Sequence, residues 1–118
     1  MTSRNDGNWT AARFRNFIIS GLRSLSVKWP PKNEVKKAAR LRRGVYLCAG
    51  YKTDPHEVRA KDTFVDHIEP VVDPEKGFEG WDTYIERLFV ERDGLQVLCR
   101  ECHSLKTKEE RARRNGKK

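Results

Sequence analysis

The chain has 118 residues, of which 36% are hydrophobic and 36% are charged, and its net charge is +8. This length suits one small domain, and the limited apolar content means that a bound metal or partner would help to stabilise it. No apolar run approaches the roughly 18 residues that cross a bilayer, and the first ten residues lack the apolar stretch of a secretory signal, so we expect a cytoplasmic protein without a membrane partner.

The charges are divided among three segments of opposite sign. Residues 1–43 hold 11 Lys/Arg against 2 Asp/Glu, residues 44–103 hold 7 against 13, and residues 104–118 hold 7 against 2. Basic flanks attract a polyanion, whereas an acidic middle segment repels phosphate unless a bound cation reverses the local field. The pattern favours DNA or RNA together with a metal, although any single basic run can simply be a solvated surface.

The N-terminal third of the chain predicts two helices. Apolar residues recur at helical spacing over residues 9–25, which predicts an amphipathic helix there. Pro30-Pro31 is expected to interrupt it. Asn33 can then cap a second helix that continues through about Arg42, and Gly44 is placed to end that helix.

The second predicted helix carries a basic face formed by Lys36, Lys37, Arg40 and Arg43. Such a face could lie along a phosphate backbone as a set of DNA contacts, and an ordinary solvated helix would carry the same residues. Both interpretations stay open. Residues 1–43 are therefore predicted to be a basic helical extension packed on, or leading into, a core of residues 44–118 with a basic C-terminal helix or tail.

The middle of the chain predicts two extended segments and a helix. Residues 45–47 are apolar and lead into Cys48, and residues 63–72 are rich in β-branched and aromatic side chains, which predicts a strand that turns near Pro70. Residues 81–89 place their apolar side chains on one helical face, which favours a short helix packed on a core.

The segment after residue 90 combines a strand with a metal-ligand motif. Residues 95–98 alternate as a strand does, and a helix is expected from Cys99 to about Arg114. Cys99 and Cys102 form a CxxC, whose spacing lets two thiolates bind one tetrahedral Zn²⁺. Since the chain has three cysteines, an odd number, a closed disulfide framework is disfavoured and metal ligation is favoured.

A complete zinc site needs two further ligands. Cys48 offers a third thiolate, but the position three residues later, where a second CxxC would place its cysteine, is Tyr51. His56, in a polar stretch, is the predicted fourth ligand. The alternative is a surface histidine and buried free thiols without zinc.

Three further polar residues suggest a second metal site. His103 follows Cys102, so on a helix it points about 100° away from the zinc ligand. Asp66 and His67 are adjacent, and on a strand they face opposite sides. If strand and helix pack together, Asp66 and His103 could share Mg²⁺ or Mn²⁺, with positions left open for phosphate oxygens and water, while His67 reaches that water.

Two segments resemble the two halves of the HNH, or ββα-metal, nuclease motif. They are VDHIEPVV and LQVLCRECHSLKT, and the resemblance covers about residues 44–110. The lead-in WPPKNEVKKAAR and the spacer DPEKGFEGWDTYIERLF are similar to HNH proteins of tailed bacteriophages. The resemblance implies an α+β protein in which N-terminal helices precede a ββα-metal core, and a phage-encoded DNA endonuclease in the host cytoplasm.

The resemblance also implies roles for individual residues. His67 would be the general base, and Asp66 and His103 would hold the catalytic metal. The remaining expected DNA contacts are Lys106, Thr107, Lys108 and Arg111. For Lys106 and Thr107, support of the helix is an alternative role.

The chain departs from the family pattern at the middle Asn, which braces the loop between the two halves. That position falls near Asp93-Gly94, where Asp93 is the expected substitute. One metal site per chain makes nicking of one strand the simpler expectation. Two other functions remain open: a nucleic-acid-binding module without activity, and a small phage protein that binds an acidic surface of a host enzyme.

Overall fold

A computed structural model describes residues 4–116. Residues 1–3 of the predicted N-terminal extension and residues 117–118 of the predicted core lie outside the described range. Within that range the chain forms four α-helices and two small antiparallel sheets, which confirms the predicted α+β class. The elements are α1 (Ala11–Ser26), α2 (Pro30–Ala39), β1 (Arg40–Arg42), β2 (Val45–Cys48), β3 (His56–Arg59), β4 (Thr63–His67), α3 (Trp81–Leu88), β5 (Leu95–Cys99) and α4 (Arg100–Gly116). None of the described helices has the length and apolarity that crossing a bilayer requires.

The first helix begins two residues later than the apolar pattern predicts. Thr10 is its N-cap, and the Thr10 hydroxyl accepts a hydrogen bond from Arg13 N at 3.1 Å. Such a cap satisfies one of the amide groups that lack a partner in the first helical turn. The side chains of Phe17 and Leu25 on this helix are more than half exposed.

As predicted, the first helix is interrupted, at Ser26, and a second helix follows, but Pro30 and Pro31 begin α2, so the predicted start at Asn33 is wrong. A proline at the first helical position lacks only an N–H that would have no partner inside the helix, and its fixed φ suits helical geometry. The helix then ends at Ala39, and the predicted continuation to Arg42 is also wrong, because the next residues pair as a strand with β2.

Gly44 closes a hairpin between β1 and β2 instead of ending a helix. Its φ of +75° belongs to the left-handed region that glycine adopts without strain. As a result, Arg40 lies on a strand and Arg43 lies in the hairpin turn, so the predicted basic helical face is reduced to Lys36 and Lys37. The hairpin also crosses the boundary predicted after residue 43.

The first sheet has the order β1-β2-β3, and its last pair brings Cys48 opposite His56. The connection from β2 to β3 turns at Gly50, where φ is +84° and an added Cβ would lie 2.3 Å from the carbonyl oxygen of Thr53. Glycine is therefore required at this turn. His56 lies at the start of β3 rather than in the polar stretch that the sequence suggested.

The second sheet pairs β4 with β5, and α4 follows β5 directly. Antiparallel pairing runs from Thr63 opposite Cys99 to His67 opposite Leu95. The predicted strand over residues 63–72 therefore ends at His67, and the backbone bends before Pro70. This arrangement places Asp66 and His67 at the end of β4 nearest the loop that enters β5.

The buried apolar side chains come from β2, α3, β5 and α4. They are Cys48, Tyr84, Leu88, Leu95, Val97, Leu98, Cys99 and Cys102. Two of these, Tyr84 and Leu88, lie on the face of α3 that the sequence assigned to the core. The α2 helix packs across β5 and β2, so the N-terminal extension is joined to the rest of the fold.

Candidate functional site

The four predicted zinc ligands lie together. The ligand atoms of Cys48, His56, Cys99 and Cys102 are all within 4.8 Å of one another. The pairing of β2 with β3 supplies Cys48 and His56, and the junction of β5 with α4 supplies the CxxC. In a tetrahedral site with Zn–S bonds of about 2.3 Å, the sulfur atoms are about 3.8 Å apart. The group could therefore bind a metal such as zinc.

Backbone amides point at the sulfur atoms of this group. Gly50 N and Cys99 N donate to Cys48 Sγ at 3.3 and 3.2 Å, and Cys102 N donates to Cys99 Sγ at 3.4 Å. Such bonds favour thiolates, the form in which cysteine binds metal. Although burial works against it, the bonds from Cys102 and His56 lower the pKa of Cys99 to about 7, whereas burial raises the pKa of Cys102 to about 11.

The ring of His56 is oriented as a metal ligand would be. Its Nδ1 donates to the carbonyl oxygen of Asp54 at 2.9 Å, so Nδ1 carries a proton, and Nε2, which faces the thiols, can bind a metal in place of its own proton. Nε2 lies 3.4 Å from Cys99 Sγ. The bond to Asp54, followed by the bond to Cys99, raises the pKa of His56.

Tyr51, which stands where a second CxxC would have its cysteine, connects the same loop to α4. Its hydroxyl donates to Glu109 Oε1 at 2.7 Å, and its ring packs on the cluster of buried thiols. Lys52 Nζ bonds the same Glu109 oxygen at 2.7 Å. The Tyr51 hydroxyl is thus bonded to Glu109, and His56 completes the set of four.

A second site is a cleft of about 430 Å³ bordered by β4, α4 and the start of the N-terminal extension's second helix. Of the residues predicted from the sequence, the cleft is lined by Asp66, His67, His103, Lys106 and Thr107. The other predicted DNA contacts lie outside this lining; they are Lys36, Lys37, Arg40, Arg43, Lys108 and Arg111. The three residues predicted to react therefore line one cleft, and most of the predicted DNA contacts do not line it with them.

The two carboxylate oxygens of Asp66 face different partners. Oδ2 accepts from Lys106 Nζ at 2.9 Å and from Gln96 Nε2 at 3.0 Å, and Oδ1 lies 3.9 Å from His103 Nε2. The ring of His103 stacks on Phe64, with the centroids 5.0 Å apart, which limits its rotation. The two donors hold Oδ2, whereas Oδ1 faces His103 Nε2.

Lys106 is buried, and all three hydrogens of its ammonium have an acceptor. Nζ donates to the carbonyl oxygen of His67 at 2.6 Å, to Asp66 Oδ2 at 2.9 Å and to Glu110 Oε2 at 3.0 Å. Burial lowers the pKa of Lys106, but the bonds to the Asp66 and Glu110 carboxylates outweigh burial and raise it. This arrangement corresponds to the supporting role, because no donor is left for a phosphate.

His67 lines the same cleft as Asp66 and bonds the end of α3. Its Nε2 lies 2.8 Å from the carbonyl oxygen of Leu88, so Nε2 carries the proton and Nδ1 has the lone pair. Burial lowers the pKa of His67; the bond to Leu88 opposes this, the charge of Lys32 adds to it, and the net shift is downward. The side chain is therefore a neutral base at neutral pH.

Three basic residues of the cleft were missed from the sequence. They are Arg23, Lys32 and Arg114. Two of them come from the N-terminal extension, and no local pattern separates them from the other basic residues there. Gln96 was also missed, although a polar residue inside the apolar run of β5 is a visible signal.

The loop between α3 and β5 is braced from the N-terminal extension. Trp29 Nε1 donates to the carbonyl oxygen of Val90 at 2.7 Å, and the Trp29 ring meets the Phe89 ring edge-on, with the centroids 5.5 Å apart. Asp93, the expected substitute for the family's Asn, is exposed and lines a separate small cavity beside Ile68. The bracing contact therefore comes from a residue that is distant in sequence.

Comparisons of this chain with protein-family models, with curated proteins and with solved structures gave no match. The resemblance to the HNH family consequently rests on its sequence motifs.

Proposed function

We propose that this protein is a metal-dependent DNA endonuclease in which β4, β5 and α4 form a ββα-metal core. The observation that carries the proposal is that Asp66, His67 and His103 line one cleft, with Asp66 Oδ1 3.9 Å from His103 Nε2. Two ligand atoms on one octahedral Mg²⁺ or Mn²⁺ are separated by about 3 to 4 Å. The pair therefore fits a hard divalent cation.

Asp66 and His103 would hold that cation through the two atoms that face one another. When bound, it would supply Lewis-acid stabilisation of the charge that develops on the phosphate and on the departing 3′ oxygen. Lys106 and Gln96 orient the Asp66 carboxylate by bonding its other oxygen. Such outer contacts commonly fix a ligand in its productive orientation.

His67 would act as the general base. The bond from its Nε2 to the carbonyl oxygen of Leu88 leaves Nδ1 to accept a proton, and burial keeps the ring neutral. Nδ1 takes a proton from water as the water oxygen attacks phosphorus, the bond from phosphorus to the 3′ oxygen breaks, and that oxygen takes a proton from solvent. The products carry 5′-phosphate and 3′-hydroxyl ends.

The basic residues of the cleft support DNA as the substrate. Arg23, Lys32 and Arg114 line the same cavity as Asp66, and residues 1–43 carry a net charge of +9. Both features would strengthen the binding of a polyanion, since each phosphate contact releases condensed counterions. One candidate metal site in the cleft favours nicking of one strand at a time.

The test is incubation with supercoiled plasmid in Mg²⁺, in Mn²⁺ or in EDTA. We expect open-circular DNA with either metal and none in EDTA. If the folded protein binds the plasmid but leaves it supercoiled with both metals, the nuclease proposal is wrong. Linear product at early times would instead indicate that both strands are cut in one binding event.

A second candidate is a nucleic-acid-binding module without activity. The observation that favours it is the ammonium of Lys106, which lies 2.9 Å from Asp66 Oδ2 and already provides a positive charge at the carboxylate. A cation at that place reduces the gain from binding a metal. The plasmid experiment separates the two candidates, because such a module would shift the plasmid in a gel without nicking it.

A further inference from the structure

We infer that Lys32 binds a phosphate of the DNA at the cleavage site, so that the N-terminal extension supplies part of the substrate-binding site. The inference rests on the proposed nuclease function and adds a residue that neither the sequence motifs nor the metal sites assign. Its chemistry is recognition of a phosphodiester oxygen by an ammonium group.

Lys32 lies in the cleft that holds the proposed reacting residues. It lines the cavity together with Asp66, His67 and His103, although it belongs to the first turn of α2. Its positive charge contributes to the lowered pKa of His67. A phosphate bound by Lys32 would therefore lie in the same cleft as the proposed base and the proposed metal ligands.

The ammonium of Lys32 is held in place before any DNA arrives. Its Nζ donates to Ser26 Oγ at 3.1 Å, and the Ser26 hydroxyl donates to the carbonyl oxygen of Arg23 at 2.7 Å. Ser26 is only 3% exposed, so this anchor lies inside the fold. Since an ammonium has three donors and Ser26 takes one, donors remain for an anion.

The segment that carries Lys32 is bonded to the loop that follows Leu88, whose carbonyl oxygen orients His67. Pro30 and Pro31 fix the start of α2, and Pro31 is buried. Trp29, the residue before them, donates to the carbonyl oxygen of Val90, two residues after the Leu88 carbonyl that bonds His67. The base and the proposed phosphate contact are thus held by one framework, as positioning of substrate requires.

The charges around Lys32 favour an anionic ligand. Burial and the like charge of Arg23 both lower the pKa of Lys32. Arg114 lines the same cavity from α4. The carboxylates of Asp66 and Glu110 also line the cleft, but both are bonded by Lys106. A phosphate beside Lys32 and Arg23 would relieve the repulsion between these two cations.

The experiment compares Lys32→Met, Lys32→Gln and Lys32→Arg with Lys28→Met. Lys28 is exposed in the turn before α2 and is not part of the cleft lining, so its substitution removes the same charge from the same segment. Each variant is assayed for single-turnover plasmid nicking in Mg²⁺. Each is also assayed for binding of a short DNA duplex in EDTA over a series of salt concentrations, and for thermal melting.

We expect both neutral Lys32 variants to slow nicking by about 10²-fold, the loss typical of one charge-stabilising donor. In EDTA, the slope of log Kd against log salt should fall by about 1, as for one lost phosphate contact. Lys32→Arg should keep the slope. Lys28→Met should leave nicking within about twofold, because an exposed charge outside the cleft adds little.

The nicking rate and the salt slope test the nuclease proposal and the assignment of Lys32 separately. If the parent protein nicks DNA and both neutral Lys32 variants match it in rate and in salt slope, the assignment of Lys32 is overturned while the nuclease proposal stands. If the parent does not nick, the nuclease proposal fails, and the slope in EDTA still decides whether Lys32 contacts phosphate. Two neutral variants are used so that poor folding of one does not remove the test.

Discussion

Asp66 and His67 are neighbours in the chain but enter separate hydrogen-bond networks. Asp66 bonds Lys106 and Gln96, whereas His67 bonds the carbonyl oxygen of Leu88. The separation follows from a strand, in which successive side chains point to opposite faces. Loss of either side chain should therefore have a different consequence for cleavage.

Replacement of His67 by Ala should abolish most cleavage and leave DNA affinity and folding nearly unchanged. Losing a positioned general base typically costs about 10² to 10⁴-fold in rate, whereas the basic residues are untouched. Plasmid nicking, duplex binding and thermal melting measure the three properties. Asp66→Ala and His103→Ala serve as controls and should also lose activity. A higher concentration of Mn²⁺ should partly restore the activity of these two variants, because they act through the metal, and should not restore that of His67→Ala. Parent-like nicking by His67→Ala, with the same metal requirement, would mean that His67 is not the base.

The rate of nicking should rise with pH through a midpoint below 6.5, the ordinary pKa of histidine, and then level off. Burial lowers the pKa of His67, so the neutral form that accepts a proton persists to lower pH. The lowered pKa also makes stability depend on pH, because the unfolded protein takes up the His67 proton more readily than the folded protein does. The free energy of unfolding is therefore fully retained above pH 6.5 and falls as the pH drops through the lowered pKa. Single-turnover rates over a pH series check the midpoint. A midpoint above 6.5 would contradict the role of burial.

Replacement of Lys106 by Met should destabilise the protein by about 3 kcal/mol, because it leaves the mostly buried carboxylate of Asp66 without its cation. The same change removes the donor to the carbonyl oxygen of His67. Urea unfolding measures the free energy of unfolding. Lys108→Met, at an exposed position of the same helix, is the matched control and should change it by less than about 0.5 kcal/mol. Equal effects of the two substitutions would show that the buried ion pairs of Lys106 are unimportant.

At the scale of elements, the proposed zinc site joins the hairpin of β2 and β3 to the junction of β5 and α4. Cys48 and His56 come from the hairpin, and Cys99 and Cys102 come from the junction. These two units are distant in sequence, and the buried residues around the thiols are few. A metal would therefore tie together parts of a small core that apolar packing holds less firmly.

Protein purified without added metal should contain about one equivalent of zinc, and Cys48→Ser should lose it together with much of its thermal stability. Structural zinc can contribute on the order of 10 kcal/mol to folding. Elemental analysis and melting of both proteins are the measurements. Tyr51→Phe is the control and should keep its zinc, because the Tyr51 hydroxyl bonds Glu109. Less than about a tenth of an equivalent of zinc in the folded parent protein would end the zinc hypothesis.

At the scale of the whole molecule, positive charge is concentrated in the two ends of the chain, and the fold brings part of each end to one cleft. Arg23 and Lys32 come from the N-terminal extension, and Arg114 comes from α4. The acidic middle segment contributes Asp66 to the same cleft. Under the proposed function, a nucleic acid would meet these basic side chains around Asp66, the proposed metal ligand, while the other carboxylate of the cleft, that of Glu110, is paired with Lys106.

DNA binding should tolerate changes of sequence and weaken by orders of magnitude between low and high salt, because phosphate contacts dominate it. The measurement is the dissociation constant of two unrelated duplexes over a series of salt concentrations. Substitution of Lys36 and Lys37 by Gln should weaken both complexes to the same extent, and so should substitution of Arg23 and Arg114. Affinity that hardly changes with salt, or with either pair of substitutions, would contradict this account.

The sequence alone determined the features that depend on one segment. The period of the apolar residues predicted α3 and β5, because burial of one face requires that period whatever the face packs against. The CxxC and the few remaining cysteine and histidine residues predicted the four grouped ligands, since ligand spacing is local and candidates were scarce. Asp66, His67 and His103 were likewise chosen from motifs, and the tertiary structure places them in one cleft.

The tertiary structure alone decided where distant segments meet. From its local sequence Pro30 is expected to break a helix, yet it starts α2. Arg40 belongs to a strand because β2 lies beside it. For Lys106 the sequence left two roles open, a phosphate contact or support of the helix. Its burial next to Asp66 depends on how α4 packs on β4. Lys32 enters the cleft for the same kind of reason. An ion pair or a cleft is a property of two packed surfaces, and neither segment encodes it alone.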